Sequence, residues 1–126
     1  MADSSLPRDL TRQVSVGGVA VGGGAPVSVQ SMCTTRTGCE IVRVAVPDAG
    51  ALEGFRRVCE ASPLPVVSDI HFDHRLAVET CRLGASGLRI NPGNIGSWER
   101  VDEVIDAAGE AGVPIRIGVN AGSLDP

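Results

Sequence analysis

The chain has 126 residues, 43 % hydrophobic and 21 % charged, with a formal net charge of −4, a profile that describes one small globular domain and excludes a disordered chain. The acidic balance, with two Phe, one Trp and no Tyr, argues against nucleic acid as a partner, which needs a basic face and stacking rings. No apolar run approaches the ~18 residues of a membrane span, and the stretch from Met1 to Gln13 is polar with mixed charge rather than a signal sequence, so the expected location is the cytoplasm and no membrane partner is expected.

Val14 to Val21 alternates apolar and small residues around Gly17-Gly18, which reads as a β-hairpin spanning about residues 13–22. In closed α/β barrels such a hairpin often plugs one end. After three glycines at 22–24, Pro26 to Met32 reads as a first core strand, followed by a polar loop from Cys33 to Glu40. A unit then repeats. The strand 41–46 leads to Asp48 as N-cap and a helix whose Leu52, Phe55 and Val58 or Cys59 form an apolar face. The strand 65–70 leads to Asp73 as N-cap and a helix with Leu76, Ala77, Thr80 and Cys81 inward. The strand 87–91 runs into a Pro/Gly-broken loop offering free backbone N–H groups. Ser97 then caps a helix carrying Val101, Val104, Ile105 and Ala108, and the last strand spans 114–120. Strands and helices that alternate every ~25 residues predict right-handed βαβ units and a parallel sheet.

The faces of those strands choose between an open sheet and a barrel. Val42, Val44 and Val46 share one side while Arg43 and Ala45 share the other; Ile115, Ile117 and Val119 oppose Arg116, Gly118 and Asn120. A uniformly apolar face suits packing on helices. The small and charged face suits the interior near a barrel mouth better than a sheet buried under helices on both sides. The expected fold is therefore α/β, a partial (β/α)8 TIM-type barrel of about five parallel strands with an N-terminal β-hairpin. The joint from Met32 to Ile41 is short for a parallel crossover. A parallel pairing of the first two core strands is expected across it, and with it exposed sheet that makes the chain aggregation-prone.

All eleven basic residues are Arg, which rules out lysine chemistry in this chain and supplies planar forks for phosphate or carboxylate. Three of them, Arg43, Arg89 and Arg116, sit one per strand in the interior, where an unpartnered guanidinium costs several kcal/mol. With Asp69, His71, Asn91 and Asn120 they lie toward the C-terminal ends of neighbouring strands, where barrel enzymes keep their active sites. Three Arg against one Asp imply a small polyanion, a phosphate or diphosphate ester; the bland alternative pairs each Arg with an interior carboxylate from strands outside this chain. Asp69-Ile70-His71-Phe72-Asp73-His74 resembles a metallo-hydrolase ligand run, but the chain has no histidine beyond these two and no metal is expected; Asp69 and His71 are read as hydrogen-bonding or proton-transfer groups, Asp73 as a cap and His74 as solvated. The loop 91–96 is a weak candidate for a phosphate cradle. Cys33, Cys39, Cys59 and Cys81 show no C-x-x-C spacing, so reduced, mostly buried thiols are expected, Cys33 being the one to watch.

Five ordered segments, 23–32, 41–47, 68–73, 88–96 and 115–124, together make the chain resemble the 4-hydroxy-3-methylbut-2-enyl diphosphate synthase family, iron–sulfur enzymes of the non-mevalonate isoprenoid pathway. The resemblance implies a barrel, itself similar to dihydropteroate synthase, that binds 2-C-methyl-D-erythritol 2,4-cyclodiphosphate. It also implies a C-terminal domain with a [4Fe–4S] cluster on three Cys and one Glu, a homodimer, and ferredoxin or flavodoxin as electron donor for ring opening and loss of the C3 hydroxyl. On this reading residues 1–126 are the N-terminal part of the substrate-binding barrel domain, the iron–sulfur domain is absent, and the cluster ligands are not in this chain. Arg43, Arg89 and Arg116 would hold the cyclodiphosphate, and Asp69, His71, Asn91 and Asn120 would order the substrate and its water. The helix that the family places between the Thr35-Arg36-Thr37 and Gly38-Cys39-Glu40 motifs is missing. Two rivals stay open: a truncated or partner-dependent half barrel without activity, and a barrel enzyme of the pterin-binding type.

Overall fold

The computed structural model describes residues 10–32 and 39–119, and within them the order of elements follows the sequence pattern. Strands β1 (Val14–Val16) and β2 (Val19–Val21) form an antiparallel hairpin. Its turn is Gly17-Gly18, with φ of 53° and 95°, the pair of positive values that a tight hairpin turn demands and side chains resist. The tip packs closely: a Cβ on Gly17 would lie 2.7 Å from Pro65 Cβ and 2.8 Å from Ser86 Oγ. The hairpin therefore plugs the N-terminal end of the main sheet, as expected.

That sheet has five parallel strands in sequential order: β3 (Gln30–Met32), β4 (Ile41–Ala45), β5 (Val66–Ile70), β6 (Gly87–Ile90) and β7 (Ile115–Ile117). Parallel pairing of β3 with β4, Gln30 opposite Ile41, meets the expectation for the short joint; the joint itself, 33–38, lies outside the described residues. β3 and β7 are shorter than the strands read at 26–32 and 114–120, because each has a described neighbour on one side only.

Helix α1 (Leu52–Ala61) follows a short 3-10 turn, Ala49–Ala51, that Asp48 caps through Ala51 N–H. Helix α2 (His74–Arg82) is capped by Asp73, whose carboxylate accepts from Arg75 N–H at 3.0 Å. The same carboxylate receives the Arg75 guanidinium, and these bonds hold its pKa below the usual carboxylate range. Helix α4 (Trp98–Ala111) is capped by Ser97. Asp48, Asp73 and Ser97 thus start helices where the sequence placed them.

The core fills the space between helices and sheet. Val66, Ile70, Leu88 and Ile90 from the strands meet Phe55, Leu76, Ala77, Val101, Val104 and Ala108 from the helices, each large side chain contributing about 1.5–3 kcal/mol on burial. Within this apolar layer lies one buried polar pair, the Ser68 and Thr80 hydroxyls at 2.9 Å; Thr80 Oγ1 donates to Ala77 O at 3.0 Å, so Ser68 donates to Thr80. Several sequence assignments need correction. Ile105 is half exposed, and Ile117 and Val119 are exposed because no described helix follows β7 to cover them; of the Val58 or Cys59 alternative on α1, Cys59 is the one that packs on the core. No helix among the described residues is long and apolar enough to cross a membrane.

Candidate functional site

Registered pairing brings the interior side chains together. Ala45 is opposite Asp69, Asp69 opposite Arg89, and Arg89 opposite Arg116, so these residues form one row across the sheet, on the face away from the helices. Asp69 sits at the centre, 2 % exposed. Its Oδ2 is 3.2 Å from Arg43 Nε and its Oδ1 is 3.4 Å from Arg89 Nη1. A buried carboxylate is tolerated only when paired, and here two guanidinium groups share it. His71, just past the end of β5, brings Nε2 to 3.8 Å of Asp69 Oδ1 and is itself half exposed.

One carboxylate cannot neutralise three guanidinium groups. Arg116 is exposed and forms no ion pair with a described residue. Beneath the row a cavity of about 370 Å³ opens toward the hairpin, lined by Val14, Val21, Gln30, Val67, Gly87 and Arg116 among others. The arrangement is a positive cluster on the inner face of the parallel strands, Arg43 and Arg116 in mid-strand and Arg89 and Asp69 near the C-terminal ends, above a mostly apolar recess. Chemically it can hold an anion, by bidentate hydrogen bonding to oxygens that the single carboxylate leaves unopposed.

Asn91 follows β6 directly and is 1 % exposed. Its Oδ1 accepts from Gly93 N–H at 3.1 Å, capping the one-turn helix α3 (Pro92–Ile95). The sequence reading of 91–96 as a loop with free N–H groups is corrected here: Gly93 and Asn94 N–H both bond back to Asn91, because Pro92 at the first helical position favours a helical turn. His74 is also corrected. It is not solvated but 15 % exposed, with Nε2 at 3.0 Å from Glu103 Oε2, a link from α2 to α4. Asn120, assigned to substrate from its motif, and Cys33 lie outside the described residues.

The cysteines belong to other layers. Cys39 donates its thiol to Ile41 O at 2.8 Å, and Cys59 and Cys81 are on α1 and α2, where burial pushes both thiols above their ordinary pKa. A cluster ligand must be a thiolate. The described cysteines lie on separate elements, Cys39 before β4, Cys59 on α1 and Cys81 on α2, and no group of three His, Cys, Asp or Glu among the described residues can hold a metal.

Comparison with known proteins adds an independent line. Residues 11–126 match the family described as GcpE TIM-barrel domain. The chain is 53 % identical to the 4-hydroxy-3-methylbut-2-en-1-yl diphosphate synthase (flavodoxin) of Geobacter sulfurreducens over 131 aligned positions, covering 91 % of this chain and 37 % of the relative. It is 49 % identical to the enzyme of the same name from Azotobacter vinelandii over 140 positions, 98 % of this chain and 38 % of the relative. The chain thus spans little more than a third of the length of these relatives, and the alignments are longer than the chain, so the relatives carry residues that it lacks. Among solved structures it is similar to Xanthomonas albilineans dihydropteroate synthase with 4-aminobenzoic acid (TM-score 0.59, 13 % identity, 87 % of this chain and 52 % of that one). It is also similar to Yersinia pestis DHPS with a pterine-sulfa conjugate (TM-score 0.56, 9 % identity, 83 % and 48 %). At such identities the likeness is one of fold, and it agrees with a partial barrel.

Proposed function

This chain belongs to the GcpE TIM-barrel family, and from that premise we propose that it is the diphosphate-binding part of a 4-hydroxy-3-methylbut-2-enyl diphosphate synthase. The reaction is the reductive opening of 2-C-methyl-D-erythritol 2,4-cyclodiphosphate with loss of the C3 hydroxyl as water. The observation that supports the assignment of this part is the cluster of Arg43 and Arg89 on a single carboxylate, Asp69, with Arg116 beside Arg89 in the next strand. Arg43 and Arg89, oriented by Asp69, grip the diphosphate; Arg116 closes its open side. His71 stands at the mouth with a ring nitrogen directed at Asp69, in place to hold a proton or order a water beside the bound ester. Asn91 shapes the rim through its cap on α3, and Asn120 is assigned to substrate by its motif.

The family's [4Fe–4S] cluster finds no ligand group among the described residues; flavodoxin or ferredoxin as donor and a homodimer enter the proposal from the family alone. The test is a graft of residues 39–119 in place of their counterparts in the Geobacter sulfurreducens relative. The graft is expected to convert the cyclodiphosphate with reduced flavodoxin, and Arg43→Met with Arg89→Met together to reduce turnover to background. An inactive, folded and cluster-loaded graft would instead favour the reading of this chain as a remnant without activity, which the missing aligned residues make the natural rival.

A further inference from the structure

Gly118 follows β7 and donates its N–H to Ile90 O at 2.9 Å, which fixes its backbone against the end of β6. Its bare α-carbon lies against the Arg89 guanidinium. A Cβ at this position would come within 2.5 Å of Arg89 Nε, 2.5 Å of Nη2 and 2.8 Å of Cζ, separations that real Cβ atoms do not adopt. The guanidinium therefore occupies the volume that any other residue at 118 would claim. The φ of Gly118 is not among the positive values, so the backbone itself accepts a side chain. What a side chain displaces is the far end of Arg89, the least costly group to move in the neighbourhood and, in the site proposed above, the most consequential.

We propose that Gly118 is a positioning residue: by having no side chain it seats the Arg89 guanidinium beside Asp69 and aims it, with Arg43, at one anion. The consequence for binding rests on the anion-binding reading; the positioning itself does not. A glycine on the interior face of a strand run, in the segment Ile115 to Val119, is the sequence signal of close approach by another group.

The experiment uses the 126-residue chain, its Gly118→Ala variant, Arg89→Met and the double variant. Phenylglyoxal labelling followed by peptide mapping reads the accessibility of each arginine. Equilibrium dialysis against inorganic pyrophosphate reads anion affinity. In Gly118→Ala, labelling of Arg89, whose side chain is 15 % exposed, is expected to accelerate several-fold while Arg43 and the already exposed Arg57 keep their rates. Pyrophosphate affinity is expected to drop about tenfold, the scale of one charge-assisted bond, with no further loss when Gly118→Ala is added to Arg89→Met. An unchanged Arg89 rate overturns the proposal, and so does a uniform rise across the arginines, which would mean general loosening. A faster Arg89 rate with pyrophosphate affinity indifferent to Arg89→Met leaves Gly118 as the positioning residue and overturns the anion reading instead.

Discussion

Asp69 shows how much one residue organises. It is the interior carboxylate shared by Arg43 and Arg89, and removing it leaves two partly buried guanidinium groups facing each other. Breaking a buried pair from one side costs about 3–5 kcal/mol, less where the partners keep some contact with water. Asp69→Ala is therefore expected to lower thermal stability by about 3 kcal/mol, and added pyrophosphate to restore more of the melting temperature in the variant than it adds to the parent; differential scanning fluorimetry reads both. Equal shifts would mean that the arginines do not face a common anion site. At this scale the sequence was informative where charge and period coincide: Arg43, Asp69, Arg89 and Arg116 are spaced so that period two alone puts them on one face. The solvated reading of His74 and the reading of 91–96 as a loop with free N–H groups fail because the partners involved, Glu103 on another helix and the Asn91 cap of a one-turn helix, exist only after packing.

At the scale of elements, the caps and hydrophobic faces were legible because they are local: Asp48, Asp73 and Ser97 each satisfy an N–H within three residues. The Ser68–Thr80 pair was not, since Thr80 read simply as a member of the inward face of α2. Its hydroxyl holds β5 to α2 inside an apolar layer, and both residues are fully buried. Thr80→Val strands the Ser68 hydroxyl and is expected to cost about 1–3 kcal/mol, whereas Ser68→Ala with Thr80→Val is expected to cost less than Thr80→Val alone. Urea denaturation of the single and double variants checks the order. Strand ends were the least legible: β3 and β7 are shortened by what their neighbours supply, which no local pattern encodes.

For the whole molecule, the five-stranded sheet is a barrel wall whose outer strands, β3 and β7, have no described partner on their far sides. Ile117 and Val119 are exposed at one of them. Open edges with apolar side chains pair with other chains, so sedimentation velocity is expected to show the 126-residue chain associating as its concentration rises; a monomer with a cooperative melt would mean that it is a domain in its own right. The grafted relative avoids that complication and bears on the central claim, that the interior arginines of this chain bind the diphosphate. The decisive measurement is a calorimetric titration of 2-C-methyl-D-erythritol 2,4-cyclodiphosphate into the graft with and without Arg89→Met. A loss of about 1.5–3 kcal/mol in binding free energy is predicted for the variant, the worth of a hydrogen bond to a charged group, and an unchanged affinity would contradict the account.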